Sequence, residues 1–148
     1  MEQGLVHAHS WLRWVLLFIA IVAIFSSLMG WLSNKSFTAS NKRLGLFLTI
    51  TADVQLLLGL LMYFFTSAIT KSAFQDFGAA MKNAEIRFYA VEHILVMIIG
   101  VVLFHMGKSK VKKADSDIKK HKLSVIYYGI GLLLILSRIP WSADRLGF

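Results

Sequence analysis

Four apolar runs dominate the chain, at about residues 11–32, 44–65, 88–107 and 123–139. Each approaches or exceeds the length an α-helix needs to cross a bilayer, since a hydrocarbon core of ~30 Å takes ~20 helical residues at about 1.5 Å each. Of the 148 residues, 57% are hydrophobic and 16% charged, with a mean hydropathy of +0.65. A water-soluble domain of this size would lack the polar surface to cover itself. The sequence predicts one all-α integral membrane domain over residues 1–148.

The placement of charge orients that domain. Lys108, Lys110, Lys112, Lys113, Lys119, Lys120 and Lys122 crowd the connection between the third and fourth runs, and Lys35, Lys42 and Arg43 lie in the first connection. The connection over residues 66–86 balances Lys71 and Lys82 with Asp76 and Glu85. The positive-inside rule therefore puts the lysine-rich loops in the cytoplasm and both termini on the outer, periplasmic side of a bacterial inner membrane. Short connections then make an up-down-up-down four-helix bundle the economical arrangement. The net charge of +8 reflects topology, with some attraction to anionic headgroups. Nucleic acid is not an expected partner, because no stacking aromatics stand among those lysines.

Punctuation along the chain agrees. Trp11, Trp14, Trp31 and Trp141 fall near run ends, where an indole prefers the headgroup zone. The one proline, Pro140, closes the fourth run, so straight helices are expected. The first run reads as a structural helix rather than a cleaved leader, since it is long, bounded by Trp and preceded by Glu2. Gly59, Gly100, Gly129 and Gly131 permit close helix contact. The outer connection, with Phe74 and Phe77 among polar residues, predicts a short helix on the membrane surface that caps what lies beneath.

Polar side chains inside a span cost a few kcal/mol even on lenient insertion scales, so each should face the bundle interior or water. They are His7, His9 and Arg13 on the first helix, Asp53 and Gln55 on the second, Arg87, Glu92 and His93 on the third, and Arg138 on the fourth. All but Asp53 and Gln55 belong to the outer half. Imidazoles from two helices commonly hold a b-type haem, and arginines can pair with its propionates. His9 and His93 are the candidate iron ligands, and Arg13, Arg87 and Arg138 the candidate propionate partners. With no cysteine, covalent haem attachment, thiolate sites and disulfides are excluded.

Other uses of the same residues stay open. His7, His105 and His121 read equally as interfacial polar residues, the arginines as snorkelling cations and Met62 as packing. If the first and third runs begin at equal depth, His9 lies roughly 12 Å further out than His93 at the helical rise, which a shift or tilt of the long first helix would have to close. His93 with Met62 is an alternative ligand pair. A non-haem copper, zinc or iron site from His7, His9, Glu92 and His93 is another. Asp53 and Gln55, near mid-membrane and pointing to different faces, suit a proton relay or an interhelical polar contact.

The stretches "HSWLRWVLL", "QLLLGLLMYF" and "VEHILVMIIGVVL", the basic loop and the closing "IPW" resemble a group of small four-helix bacterial membrane proteins, of Bacteroidota type, labelled cytochrome b-like. The resemblance covers nearly the whole chain. It implies a haem b protein and highlights His9, Arg13, Trp14, Gln55, Gly59, Tyr63, His93, Pro140 and Trp141. Members of that group often carry a histidine in the second span where this chain has Asp53, so the resemblance assigns that helix no ligand here.

The expected function is electron transfer between the quinone pool and a redox protein or larger respiratory complex at the outer surface, as a carrier or as a subunit of an oxidoreductase rather than a stand-alone enzyme. The alternatives are a non-catalytic accessory or assembly subunit with no cofactor, and a metal-binding or transport protein. A homo-oligomer is compatible with each. No serine-nucleophile, phosphate-loop or zinc-protease motif is present.

Overall fold

Helix ends along the chain fall where side chains satisfy the open backbone groups. The computed structural model describes residues 2–142. Helix α1 (Glu2–Leu32) ends as Asn34 turns left-handed, at φ 49°. The Lys35 N–H returns to the Gly30 carbonyl at 3.0 Å and the Asn34 N–H to that of Trp31 at 3.5 Å, the pair of bonds that closes a Schellman turn. Helix α2 (Ala39–Leu61) starts on a capping box, in which the Thr38 hydroxyl accepts from the Asn41 N–H and the Asn41 side chain accepts from the Thr38 N–H.

Past α2 the chain winds through a π-helical turn, Met62–Thr66, into the connection between the second and third apolar runs. That connection forms three short helices, α3 (Ala68–Gln75), α4 (Phe77–Lys82) and α5 (Ala84–Arg87). Each begins on a side-chain oxygen that accepts a backbone N–H, from Ser67, Asp76 and Asn83 respectively. A second π-helical turn, Phe88–Glu92, joins α5 to α6 (His93–Lys113). After a short turn at residues 114–116, flanked by the lysines of both helix ends, α7 (Asp117–Ser137) starts from its cap Ser116 and stops short of Pro140.

The fold is all-helical, with no strand among the described residues. Three helical stretches, Gln3–Leu32, Ala39–Thr66 and Ala84–Lys113, are long and apolar enough to cross a membrane. The fourth long helix, α7, spends its first turns on Lys119, Lys120 and Lys122, which shortens its apolar part. Three expectations change. The first helix begins at Glu2 rather than near Trp11, the outer connection is three helices rather than one, and two π-helical turns interrupt helices expected to be straight.

The four long helices touch as a ring, α1 on α2, α2 on α6, α6 on α7 and α7 on α1. Neighbours run antiparallel: Asn41 Nδ2 donates to Ser26 Oγ at 2.9 Å at one end of the α1–α2 pair, and Gln55 meets the His9 carbonyl further along. The core holds Leu16, Leu17, Ala20, Ala23, Leu48, Ala52, Phe104 and Tyr128, its alanines allowing close helix contact. Outward faces carry Phe18, Phe25, Phe47, Leu57, Val102 and Leu133, all exposed, as a hydrocarbon surround requires.

Helices α6 and α7 approach through Gly100 and Gly131. A Cβ at Gly131 would lie 2.7 Å from the fully buried Phe104 ring and 3.2 Å from the Gly100 carbonyl, whereas one at Gly129 would meet nothing within 4 Å. Gly131→Leu should destabilise the protein by ~2 kcal/mol through overpacking, while Gly129→Ala should be neutral or stabilising by up to about 1 kcal/mol. Thermal unfolding in detergent measures both.

Candidate cofactor site between two histidines

The two π-helical turns lie on either side of an internal cavity and shape it. A π-helical turn widens the helix by one residue and releases a carbonyl from the regular ladder, which another group must then satisfy. The Ala90 carbonyl, in the second turn, accepts from the Tyr63 hydroxyl of the first at 2.7 Å. The Tyr63 carbonyl in turn accepts from the Thr70 hydroxyl of α3 at 2.6 Å. These bonds tie α2, α3 and α6 together at one end of the ring. They also position the residues around them, since Met62, Tyr63 and Thr66 line the cavity from one turn and Tyr89 from the other.

The cavity measures about 270 Å³ and is bounded by α1, α2, α6 and α7, with Ala68–Thr70 of α3 across its end. The start of α3, in the connection expected to cap the site, contributes to the cavity lining. The walls are mostly apolar, including Leu16, Leu17, Leu56, Ile94, Met97 and Ile135. Against them stand His9, Arg13, Gln55 and His93.

His9 and His93 face one another from helices that do not neighbour each other in the ring, their ring centres 6.5 Å apart and their planes at 69°. The offset of roughly 12 Å expected from the apolar runs is absent. Measured from their helix starts, Glu2 and Ala84, both histidines lie about two to three turns in. Gly59 makes room for the His9 ring, whose Cε1 would lie 3.3 Å from a Cβ at that position. Gln55 Nε2 donates to the His9 carbonyl at 2.9 Å and holds that turn of α1 against α2.

The two imidazoles are fixed differently. His93 Nδ1 is 2.7 Å from the Arg138 carbonyl at the end of α7. A carbonyl only accepts, so Nδ1 carries the proton and Nε2 keeps its lone pair, the usual arrangement of a histidine oriented for a metal. His9 Nδ1 is buried without a hydrogen-bond partner. An orphaned imidazole nitrogen in an apolar wall costs free energy unless something absent from the protein itself meets it.

The remaining candidates divide into separate groups. Arg13 is buried in the cavity wall with its guanidinium 5.4 Å from the centre of the Trp14 ring. Arg87 and Arg138 instead clasp Glu92: Arg87 Nε donates to Oε1 at 2.9 Å and Arg138 Nε lies 3.5 Å from Oε2. Arg87 also donates to the Met81 carbonyl at 2.9 Å. Glu92 thus belongs to an ionic clasp rather than to a metal site with the histidines. His7 is exposed, and no group of three or more His, Cys, Asp or Glu suited to a metal ion occurs among the described residues. Met62 and Met97 line the cavity as packing residues would.

Asp53 and Gln55 part company, as their spacing implied. Gln55 points inward, whereas Asp53 lies on the outside of the ring and bonds His105 Nε2 of α6 at 2.7 Å. They form no shared relay. The pairing of Asp53 with His105 was not readable from sequence, because 52 residues separate them and no local spacing links the two. The π-helical turns also lacked a sequence signal, there being no proline or glycine within either.

No protein-family model matches the chain, and no curated protein or solved structure matches it. The geometry alone carries the chemistry. Tyr63→Phe should cost about 1–3 kcal/mol by leaving the Ala90 carbonyl unsatisfied, seen as a lowered melting temperature in detergent.

Proposed function

We propose that this chain is a four-helix membrane protein, with both termini on the outer side of a bacterial inner membrane, that holds haem b between His9 and His93. It would carry electrons between the quinone pool and a redox partner at the outer surface. The lysine-rich loops at the opposite end support this orientation.

The observation that carries the reading is the opposition of two imidazoles across an apolar cavity. A metal–imidazole bond of ~2.0–2.1 Å and about 1 Å from nitrogen to ring centre, counted on both sides, put two ligating rings roughly 6 Å apart. The 6.5 Å between His9 and His93 is close to that. A bare ion held by side chains needs three or four donors. A haem brings four nitrogens of its own and asks the protein for only two. Two imidazoles that form no group with a third His, Cys, Asp or Glu among the described residues therefore suit haem better than copper, zinc or non-haem iron.

His9 and His93 would hold the iron, and the group when bound would supply one-electron redox chemistry. The chain's own residues do the rest. The Arg138 carbonyl keeps His93 in the ligating tautomer, Gly59 leaves room for the His9 ring, Gln55 holds the His9 backbone, and the start of α3 lines one end of the cavity. Arg13 supplies positive charge in the wall for a propionate. Arg87 and Arg138, neutralised in part by Glu92, stand at the rim and stabilise the end of α7 that carries the carbonyl.

Purified protein should show a Soret band that shifts on adding dithionite, with iron bound. His9→Ala and His93→Ala should each abolish or displace that band, and Asp53→Asn should leave it unchanged. Colourless, iron-free protein that takes up no haem on addition would overturn the reading.

A further inference from the structure

The Asp53–His105 pair lies on the opposite side of α2 and α6 from the cavity. Asp53 sits near the middle of Ala39–Thr66, one of the helices long enough to cross a membrane, and His105 lies well inside another, Ala84–Lys113. About half of each side chain is exposed, 51% for Asp53 and 48% for His105. One turn away on the same faces stand Ile50, Leu57 and Val102, all exposed and apolar. The pair is thus a polar island on a face otherwise built for hydrocarbon.

The internal bond does not complete either group. His105 Nε2 bonds Asp53 Oδ1, which leaves Nδ1 and Oδ2 without a hydrogen bond among the described residues. In a lipid layer no water is at hand to meet them, and polar groups at this depth almost always face protein. One free nitrogen and one free carboxylate oxygen on a bonded pair are complementary to the same two atoms turned by a two-fold axis. With both ring nitrogens protonated, His105 of each copy donates one N–H to its own Asp53 and the other to Asp53 of the second copy, which closes a ring of four hydrogen bonds. Such a contact is self-matching, as a two-fold interface must be, and interhelical polar contacts of this kind are a recognised source of association in membranes.

We infer that the outer face of α2 and α6 is the dimer interface of this protein, with a second copy of the chain as its partner and the Asp53–His105 pairs meeting at its centre. The inference rests on α2 and α6 crossing a membrane and does not depend on haem. Helix α7 packs on α1 and α6, with no comparable contact to α2 across the ring, so its exposed Leu133 marks a face away from the interface.

The chain has no cysteine, so a single introduced thiol reports on one position. In native membranes, Val102→Cys should cross-link copies of the chain under mild oxidation and Leu133→Cys should not. Differently tagged copies should copurify, and Asp53→Leu with His105→Leu should reduce that copurification at least tenfold. Equal cross-linking at both positions, or a monomeric mass with no cross-link at Val102, would overturn the inference. So would capture of a different protein at Val102. If the double variant fails to accumulate, the cross-linking comparison in the otherwise unaltered chain still decides. The pigment spectrum of the unaltered protein separates failure here from failure of the haem reading.

Discussion

A polar group buried among apolar helices has only other parts of the protein to bond, and that requirement organises this molecule more than any single packed pair. Each departure from a regular helix is met by a side chain from elsewhere. The Ala90 carbonyl finds Tyr63, the Tyr63 carbonyl finds Thr70, and the His9 carbonyl finds Gln55. These bonds cross between helices, so satisfying them also sets how the helices stand against one another. The cavity is a result of that crossing: two helices widen by one residue at its edge, and α1 and α6 face each other across it without touching closely.

The retention of Glu92 and His93 beside each other at the mouth of an apolar helix follows from the same requirement. His93 turns inward and bonds the Arg138 carbonyl, while Glu92 turns to the guanidinium groups of Arg87 and Arg138. The two residues thus grip the same end of α7, one through its backbone and one through its side chain. A surface ion pair alone contributes little. Here its value is positional, because it steadies the carbonyl that selects the His93 tautomer.

Much of the architecture was legible in the chain. The long apolar runs and the asymmetric lysines act locally, through burial and charge. The candidate site was legible only in part. His9, His93 and Arg13 stood out as polar residues in apolar surroundings, and they do meet around one cavity. Arg87, Arg138 and Glu92 stood out equally, yet they form a clasp at the rim. Helix starts explain the difference in depth for His9: α1 begins at Glu2, well before its apolar run, so counting from the run misplaced the histidine.

The sequence alone pointed to a helical chain with four long apolar runs, of which three lie in helices long and apolar enough to cross a membrane, and to basic charge gathered at one end, because burial and charge placement depend on composition along each segment. Only the tertiary structure decided which polar residues share a partner. His9 with His93, Tyr63 with Ala90 and Asp53 with His105 are separated by whole helices, and what joins them is the crossing of one helix over another, which is set by the close fit of glycine, alanine and aromatic side chains rather than by any local pattern.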